Sequence, residues 1–340
     1  NQTGFFNLND RIRDAAPVVL EQSMLQLIGR NQTQSFENMG ALTLERGWYY
    51  VVVTGQNYGT GGAAMRFDSL SQNAMNGATV NFGGGGFTLG TMNGANVHFV
   101  SAPSLTNNII GGWVTSVREF ASYVPGLGVG ALNTAGFAGY SGSSLTSAWL
   151  QATDNIRITG GATLAADTVV NSLVLFYGGT ANTLDFGGRV LTLGSGGLLL
   201  SASNDNLAHT LTNGTLRAGS AGVASDLYVH VAPFGGNNRV FNFGAVFADN
   251  ASGAGRLVVS STEGSGTNNF LNITVPQAFT GGMIVNGGTV RLSVPGADGS
   301  SVVAVPAGAD PTKALMVNGA TVQAMMAGQI AAGITPVLYS

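Results

Sequence analysis

A short motif that recurs along the chain sets the strongest constraint on its fold. An Asn-Gly pair is followed, after at most one residue, by Thr and then Val or Leu, starting at Asn76, Asn213, Asn286 and Asn318. Asn and Gly tolerate the positive φ of a tight corner, and the polar–apolar alternation after them indicates a half-buried strand. Strand signals of this kind return about every 15–25 residues, which is typical of solenoid repeats. We therefore predict a coiled β-solenoid rather than the sandwich or barrel that many short strands also form.

The scarcity of charge supports the same fold. Only 9 % of the 340 residues are charged, against about 25 % in an average domain. Equivalent side chains of stacked coils lie about 4.8 Å apart, so like charges repel there, whereas Asn and Thr hydrogen-bond to each other. With 13 basic and 16 acidic residues, the chain has no excess of positive charge with which to bind nucleic acid. Because it contains no Cys, it has neither disulfides nor Cys-based metal sites.

The predicted architecture is a single β-solenoid domain over residues 1–340, with residues 1–60 as an atypical N-terminal part, whether the chain is whole or a processed piece of a longer one. At about 20–25 residues per coil it would contain roughly 14–17 coils.

Two segments also allow a helix. Residues 10–26 have an amphipathic pattern that Pro17 and the β-branched Val18 and Val19 weaken, and residues 321–332 are rich in Ala and Met. No stretch of 18 largely apolar residues indicates a membrane span.

One segment resembles a known family. Phe279-Thr280-Gly281-Gly282, a short strand, Asn286-Gly287-Gly288-Thr289 and a closing Leu292 strand are similar to the autotransporter-associated β-strand repeat (the passenger-associated transport repeat), and residues 315–322 are similar to its following coil. The resemblance implies a right-handed parallel β-helix, secreted or displayed on the outer surface of a bacterium, as in large bacterial surface proteins and autotransporter passengers.

Catalytic groups do not cluster in the sequence. The closest acidic pair, Asp10 and Asp14, has Arg11 and Arg13 beside it, and we interpret this group as surface charge. Asp167 and Asp185 are spaced by about one predicted coil, so stacking would bring them together, although two carboxylates alone are weak evidence for a site. The three histidines are distant from each other and are interpreted as structural: His98, His209 and His230. We therefore predict no catalytic, cofactor-binding or metal-binding residue, and no cofactor.

Five aromatic residues allow two interpretations. They are Trp48, Tyr49, Tyr50, Trp113 and Trp149. We interpret them as anchors of the core or of subunit contacts, with a surface that binds glycans as the alternative.

The functional hypothesis is a non-catalytic structural protein of the bacterial cell exterior. Its β-solenoid subunits would self-assemble, head to tail or laterally, into an extracellular filament, sheath or surface layer, so its partner is itself, with surface glycans as a further partner. One alternative is an adhesin or autotransporter passenger stalk. A second alternative is a β-helix enzyme that cleaves polysaccharides, which requires a groove with two or three acidic residues within about 6–10 Å of one another.

Overall fold

The stacked-coil prediction is confirmed: the computed structural model is a parallel β-solenoid of about nine turns. It describes residues 11–30, 33–55, 62–91, 94–177, 181–202, 208–232, 239–261, 269–296, 303–308, 310 and 314–339. Over these ranges the chain forms 27 strands and one short 3-10 helix, Ala74–Asn76, and no α-helix. No helix within them has the length and the apolar character that crossing a bilayer requires.

The chain divides into two compact units, Asn1–Gly139 (unit 1) and Tyr140–Ser340 (unit 2). Each unit has its own core of buried apolar side chains. Whether the whole chain is one solenoid domain stays a prediction.

Unit 1 consists of three coils with three strands each, followed by three further strands. The strands are β1 (Val18–Glu21), β2 (Met24–Ile28), β3 (Ser35–Met39), β4 (Leu42–Arg46), β5 (Trp48–Thr54), β6 (Ala63–Phe67), β7 (Leu70–Gln72), β8 (Thr79–Gly83), β9 (Ala95–Phe99), β10 (Val114–Ser116), β11 (Glu119–Val124) and β12 (Gly128–Ala131). Parallel pairing gives three faces, β1–β4–β7, β2–β5–β8 and β3–β6–β9. Strand β10 continues the second face in parallel, and β11 and β12 close it with antiparallel pairs.

The sequence pattern of these strands explains which side chains point inward. Along β5, Tyr49, Val51 and Val53 are fully buried, while Trp48 and Tyr50 alternate with them on the outer side. Because side chains alternate across a strand, one apolar series per face is enough to fill the interior of the coil.

Unit 2 contains the remaining strands. They are β13 (Asn155–Ile158), β14 (Ala162–Thr163), β15 (Thr168–Tyr177), β16 (Thr183–Asp185), β17 (Val190–Ala202), β18 (Ala208–Ala218), β19 (Ser225–Ala232), β20 (Arg239–Phe247), β21 (Gly255–Ser261), β22 (Asn269–Ile273), β23 (Met283–Val285), β24 (Thr289–Leu292), β25 (Leu315–Asn318), β26 (Thr321–Ala324) and β27 (Val337–Tyr339). Their pairs are parallel throughout. Strands β15, β17 and β18 are long because each bends at a corner and pairs on two faces.

The core of unit 2 is built from vertical files of apolar residues, one per coil. One file, in register from strand to strand, is Leu173, Leu198, Val229, Val259, Val285, Val317 and Leu338. All its members but the last are buried, and Leu338 is 73 % exposed. The file therefore ends without a covering coil in the described residues.

The coils are longer than the sequence predicted. Hydrogen-bonded side chains of neighbouring coils are 28 residues apart at Thr43 and Ser71 and 32 apart at Arg291 and Gln323. Each coil carries two or three strands, so strand signals at shorter intervals mark its faces as well as its turns. The predicted 14–17 coils are therefore wrong, and about nine are present.

Neither candidate helix forms. Strands β1 and β2 lie in the second half of residues 10–26, and β26 occupies the start of residues 321–332. In the first segment Val18 and Val19 pair with β4, so the β-branched residues follow their strand propensity. In the second, Thr321 and Val322 pair with β24, and this tertiary contact overrides the helix propensity of Ala and Met.

Candidate functional site

The recurrent Asn-Gly motif supplies hydrogen bonds between successive coils. The amide of Asn318 donates to the Asn286 side chain at 2.6 Å, and both residues are buried. Asn213 donates to the Asp185 carboxylate at 2.9 Å across 28 residues. Asn76 donates to the Glu45 side chain at 3.1 Å. All four motif asparagines thus connect residues that are distant in sequence, which gives the motif a physical function in stacking.

Further polar side chains stack inside unit 2. Asn171 and Ser172 both donate to the side-chain oxygen of Asn155 at 2.7 Å, and all three are buried. The imidazole of His230 lies 2.8 Å from the Ser260 hydroxyl of the next coil. Buried polar groups are costly unless they are paired, so these contacts hold the coils in one register.

The carboxylates with hydrogen bonds in the structure are acceptors that hold corners and coils. Asp226 forms a bidentate pair with Arg256 at 2.7 and 2.8 Å and also accepts from the Tyr228 hydroxyl. Asp249 accepts from the Gly255 and Thr280 amides at 2.7 and 2.9 Å. Charge is therefore tolerated in the stack where opposite signs lie in register.

The expectation that stacking brings Asp167 and Asp185 together is wrong. Asp185 is in register with Thr163 below it and Thr212 above it. Asp167 instead accepts a hydrogen bond from the Val190 amide. The longer coil places the two carboxylates at different positions of the turn. The Gly187 amide, and then Asn213, hold the pKa of Asp185 below its usual value.

The remaining sequence candidates are dispersed. Asp14 is exposed, Arg11 lies 3.6 Å from Glu37, and Asp10 lies outside the described residues. His209 is buried between the Tyr177 and Phe241 rings, with ring centroids 4.8 and 5.4 Å away. Within the described ranges, no three His, Asp or Glu side chains are grouped as ligands for a metal ion.

The five aromatic candidates differ in burial, and they belong to both units. Tyr49 is fully buried and Trp113 packs against the core of unit 1, as anchors would. Trp48 and Tyr50 are half-buried neighbours on the outer side of β5, with ring centroids 6.0 Å apart. Trp149 is 83 % exposed in unit 2. The glycan-binding alternative stays a prediction.

Tyr49 connects two coils and gives unit 1 a pH dependence. Its hydroxyl donates to the Leu20 carbonyl at 2.6 Å and accepts from the Arg46 amide at 2.7 Å. Burial raises the pKa of Tyr49 to about 12, although the backbone hydrogen bonds oppose the shift. Burial also raises the pKa of Tyr177.

Alkaline conditions are therefore expected to destabilise unit 1. The unfolded tyrosine loses its proton near pH 10, whereas folded Tyr49 keeps it to about pH 12, so the stabilisation is complete below pH 10 and is lost as the pH rises to 12. The loss amounts to about 3 kcal/mol. Urea unfolding at stepped pH values measures this loss. The free energy of unfolding of the Tyr49→Phe variant should fall less steeply over this pH window than that of the unmodified protein. An equal slope in both proteins would contradict the assignment.

An open cleft of about 450 Å³ lies on the third face of unit 1. Its described lining residues are Arg66, His98, Phe99, Val100, Ala102, Tyr123, Pro125 and Gly126. Arg66 and His98 are in register on β6 and β9 and project outward. Burial, and then the charge of Arg66, lower the pKa of His98. We call this site the Arg66 cleft. Sequence reasoning missed it because its residues come from separate coils and share no local motif.

The edges of the stacked sheets are the second notable feature. Among the described strands, β1, β2 and β3 each have neighbours on one side only, and together they form the N-terminal edge. Strands β26 and β27 likewise pair on one side and form the C-terminal edge. Between these two edges, β7, β9, β12, β13 and β14 also have a single strand neighbour among the described strands. The inward-facing Val18 and Leu25 at the first edge are only partly buried, and Leu338 at the second edge is 73 % exposed.

Comparisons with protein-family models, with curated proteins and with solved structures find no match to this chain. The similarity to the autotransporter-associated repeat therefore stays a prediction.

Proposed function

We propose that this chain is a non-catalytic structural protein of the bacterial cell exterior, whose coils associate with those of further copies in a filament, sheath or surface layer. The observation that carries the proposal is that the core files end, at the N-terminal and C-terminal edges, at partly or largely exposed apolar residues. Unpaired strand edges are ready templates for pairing with another chain.

Each of the two edges belongs to a stack of parallel strands. Strands β1–β3 are parallel to their neighbours in unit 1, and β26 and β27 are parallel to theirs in unit 2. Parallel pairing of the C-terminal edge of one copy with the N-terminal edge of another would repeat the pairing found inside each unit. Because the two surfaces differ, this contact is heterologous, and it propagates as an open filament when its rotation does not close into a ring.

The interior supports a structural role. Amide, aromatic and carboxylate side chains are used for contacts between coils, as in the Asn286–Asn318 bond and the Asp226–Arg256 pair. The low charge and the resemblance stated above favour an exported protein, and the same resemblance keeps the adhesin or passenger stalk as an alternative. For the enzyme alternative, the Arg66 cleft has no carboxylate among the described residues that line it.

Leu338→Glu is expected to weaken assembly of the full chain without unfolding it. The leucine extends a core file but is exposed in one copy, so association of copies through this edge would bury it. Burying a leucine is worth about 1.5–3 kcal/mol, so the assembly affinity should fall by at least about tenfold. Electron microscopy and sedimentation over a concentration series measure this.

The matched control is Val223→Glu, since Val223 is 55 % exposed and lies outside both edges. It should assemble like the unmodified protein. Uniform monomers of the unmodified chain at high concentration, or equal assembly of the Leu338 variant, would rule out this contact.

A further inference from the structure

The Arg66 cleft has a charged end, and the described residues that line it include no carboxylate that could pair with Arg66. Arg66 takes part in neither the Arg11–Glu37 nor the Arg256–Asp226 ion pair. Its side chain is exposed, and the residues in register with it are Asn38 and His98. A guanidinium presents donors in a planar fork that matches a carboxylate.

His98 extends the polar end of the cleft by one coil. It lies directly beside Arg66 in the register of β6 and β9, and it is half-buried. Gly128 packs against it so closely that a Cβ there would lie 3.0 Å from Nδ1 of His98 and 2.3 Å from the Val97 carbonyl. With a φ of +84°, position 128 suits glycine, and this glycine makes room for the imidazole.

The other lining residues of the cleft are largely apolar, and we call them the apolar wall. The Tyr123 hydroxyl donates to the Phe99 carbonyl at 2.8 Å and accepts from the Phe99 amide at 3.1 Å. These bonds hold the Tyr123 ring against the Phe99 ring, with centroids 6.0 Å apart. Phe99 and Tyr123 are only 5 % and 6 % exposed and belong to the core of unit 1, so the exposed Val100, Ala102 and Pro125 supply the surface on which a ring can lie.

We propose that the Arg66 cleft binds a carboxylate carried on a six-membered ring, with the carboxylate on Arg66 and the ring against the apolar wall. The volume, about 450 Å³, lies in the range of small-ligand sites, roughly 300–1,000 Å³. A wall fixed before binding reduces the entropy cost of binding. Two kinds of molecule share this chemistry, an acidic sugar and an aromatic acid. The proposal is independent of the assembly proposed above.

The test is a titration of the full, isotope-labelled chain, followed by the NMR signals of the His98 imidazole and the Arg66 side chain. The probes are glucuronate and benzoate, with glucose and methyl benzoate as their neutral counterparts. One or both carboxylates should shift these signals in a saturable manner, and the neutral compounds should not. Saturation by glucuronate alone identifies a sugar acid, and saturation by benzoate alone identifies an aromatic acid.

Arg66→Gln should weaken carboxylate binding by at least about tenfold, since it removes a charged bidentate partner. Arg189→Gln is the matched control, because Arg189 is an exposed arginine of unit 2. This variant should bind the carboxylates as the unmodified protein does. The proposal is overturned if neither carboxylate shifts the His98 signals, if the neutral compounds bind equally, or if Arg66→Gln binds like the unmodified protein. The comparison with neutral compounds needs no variant.

Discussion

Replacing Gly196 by alanine is expected to destabilise unit 2 by about 2–5 kcal/mol. Gly196 lies at the bend of β17, between the halves that pair with the two halves of β15, and its φ is +70°. A Cβ there would lie 1.9 Å from the carbonyl oxygen of Asp226 in the next coil. No side chain fits in that gap, so the coils must separate or the corner must rearrange. Urea unfolding of the full chain measures the loss.

Gly188→Ala separates this steric clash from backbone strain. Gly188 has nearly the same φ, +74°, but no atom lies within 4 Å of its ideal Cβ position. Alanine there should cost only the left-handed backbone conformation, about 1–2 kcal/mol. The difference in unfolding free energy between the two variants measures the energetic effect of the close contact between coils at Gly196. Equal losses of stability would mean that the coils move apart at Gly196 at little cost, so that their close approach does not constrain the fold.

The stacking of coils was predictable because its signal is local. Asn286 and Asn318 each begin a corner and a strand, and the structure pairs their amides in successive coils. The preference for uncharged side chains in such files follows from their spacing alone. What the local pattern did not contain was the length of the coil, because a strand signal looks the same on every face.

The same limit explains the errors and the omission in the candidate sites. A coil of 18 residues would have placed Asp167 near Asp185, whereas the observed register places Thr163 and Thr212 beside Asp185. Arg66 and His98 are ordinary residues of two separate strands, and only the register of β6 with β9 makes them neighbours. Sites of this kind follow from the number of residues in a coil, which is set by loops whose lengths vary along the chain.

Phe243→Ala is expected to cost unit 2 about 3–5 kcal/mol, the largest effect of a single truncation proposed for this chain. Phe243 is fully buried on β20, in register with Leu211 of the coil before and Ile273 of the coil after. Truncation leaves a cavity that contacts three successive coils. Since each coil of a solenoid is stabilised mainly by its neighbours, the loss should spread along the file.

Phe176→Ala is the matched control, because Phe176 lies half-buried on the outer side of β15, with the Arg157 guanidinium 4.2 Å from its ring centroid. Removing its side chain should lower the free energy of unfolding by about 1 kcal/mol, the value of an exposed cation–π contact with its packing.

Hydrogen exchange locates the effect of each variant in the structure. In Phe243→Ala, protection should fall first in β18, β20 and β22, while unit 1, whose buried core is a separate cluster, keeps its own. Loss of protection in both units together would show that they unfold as one, and equal costs for the two variants would contradict the assignment of Phe243 to the interior file.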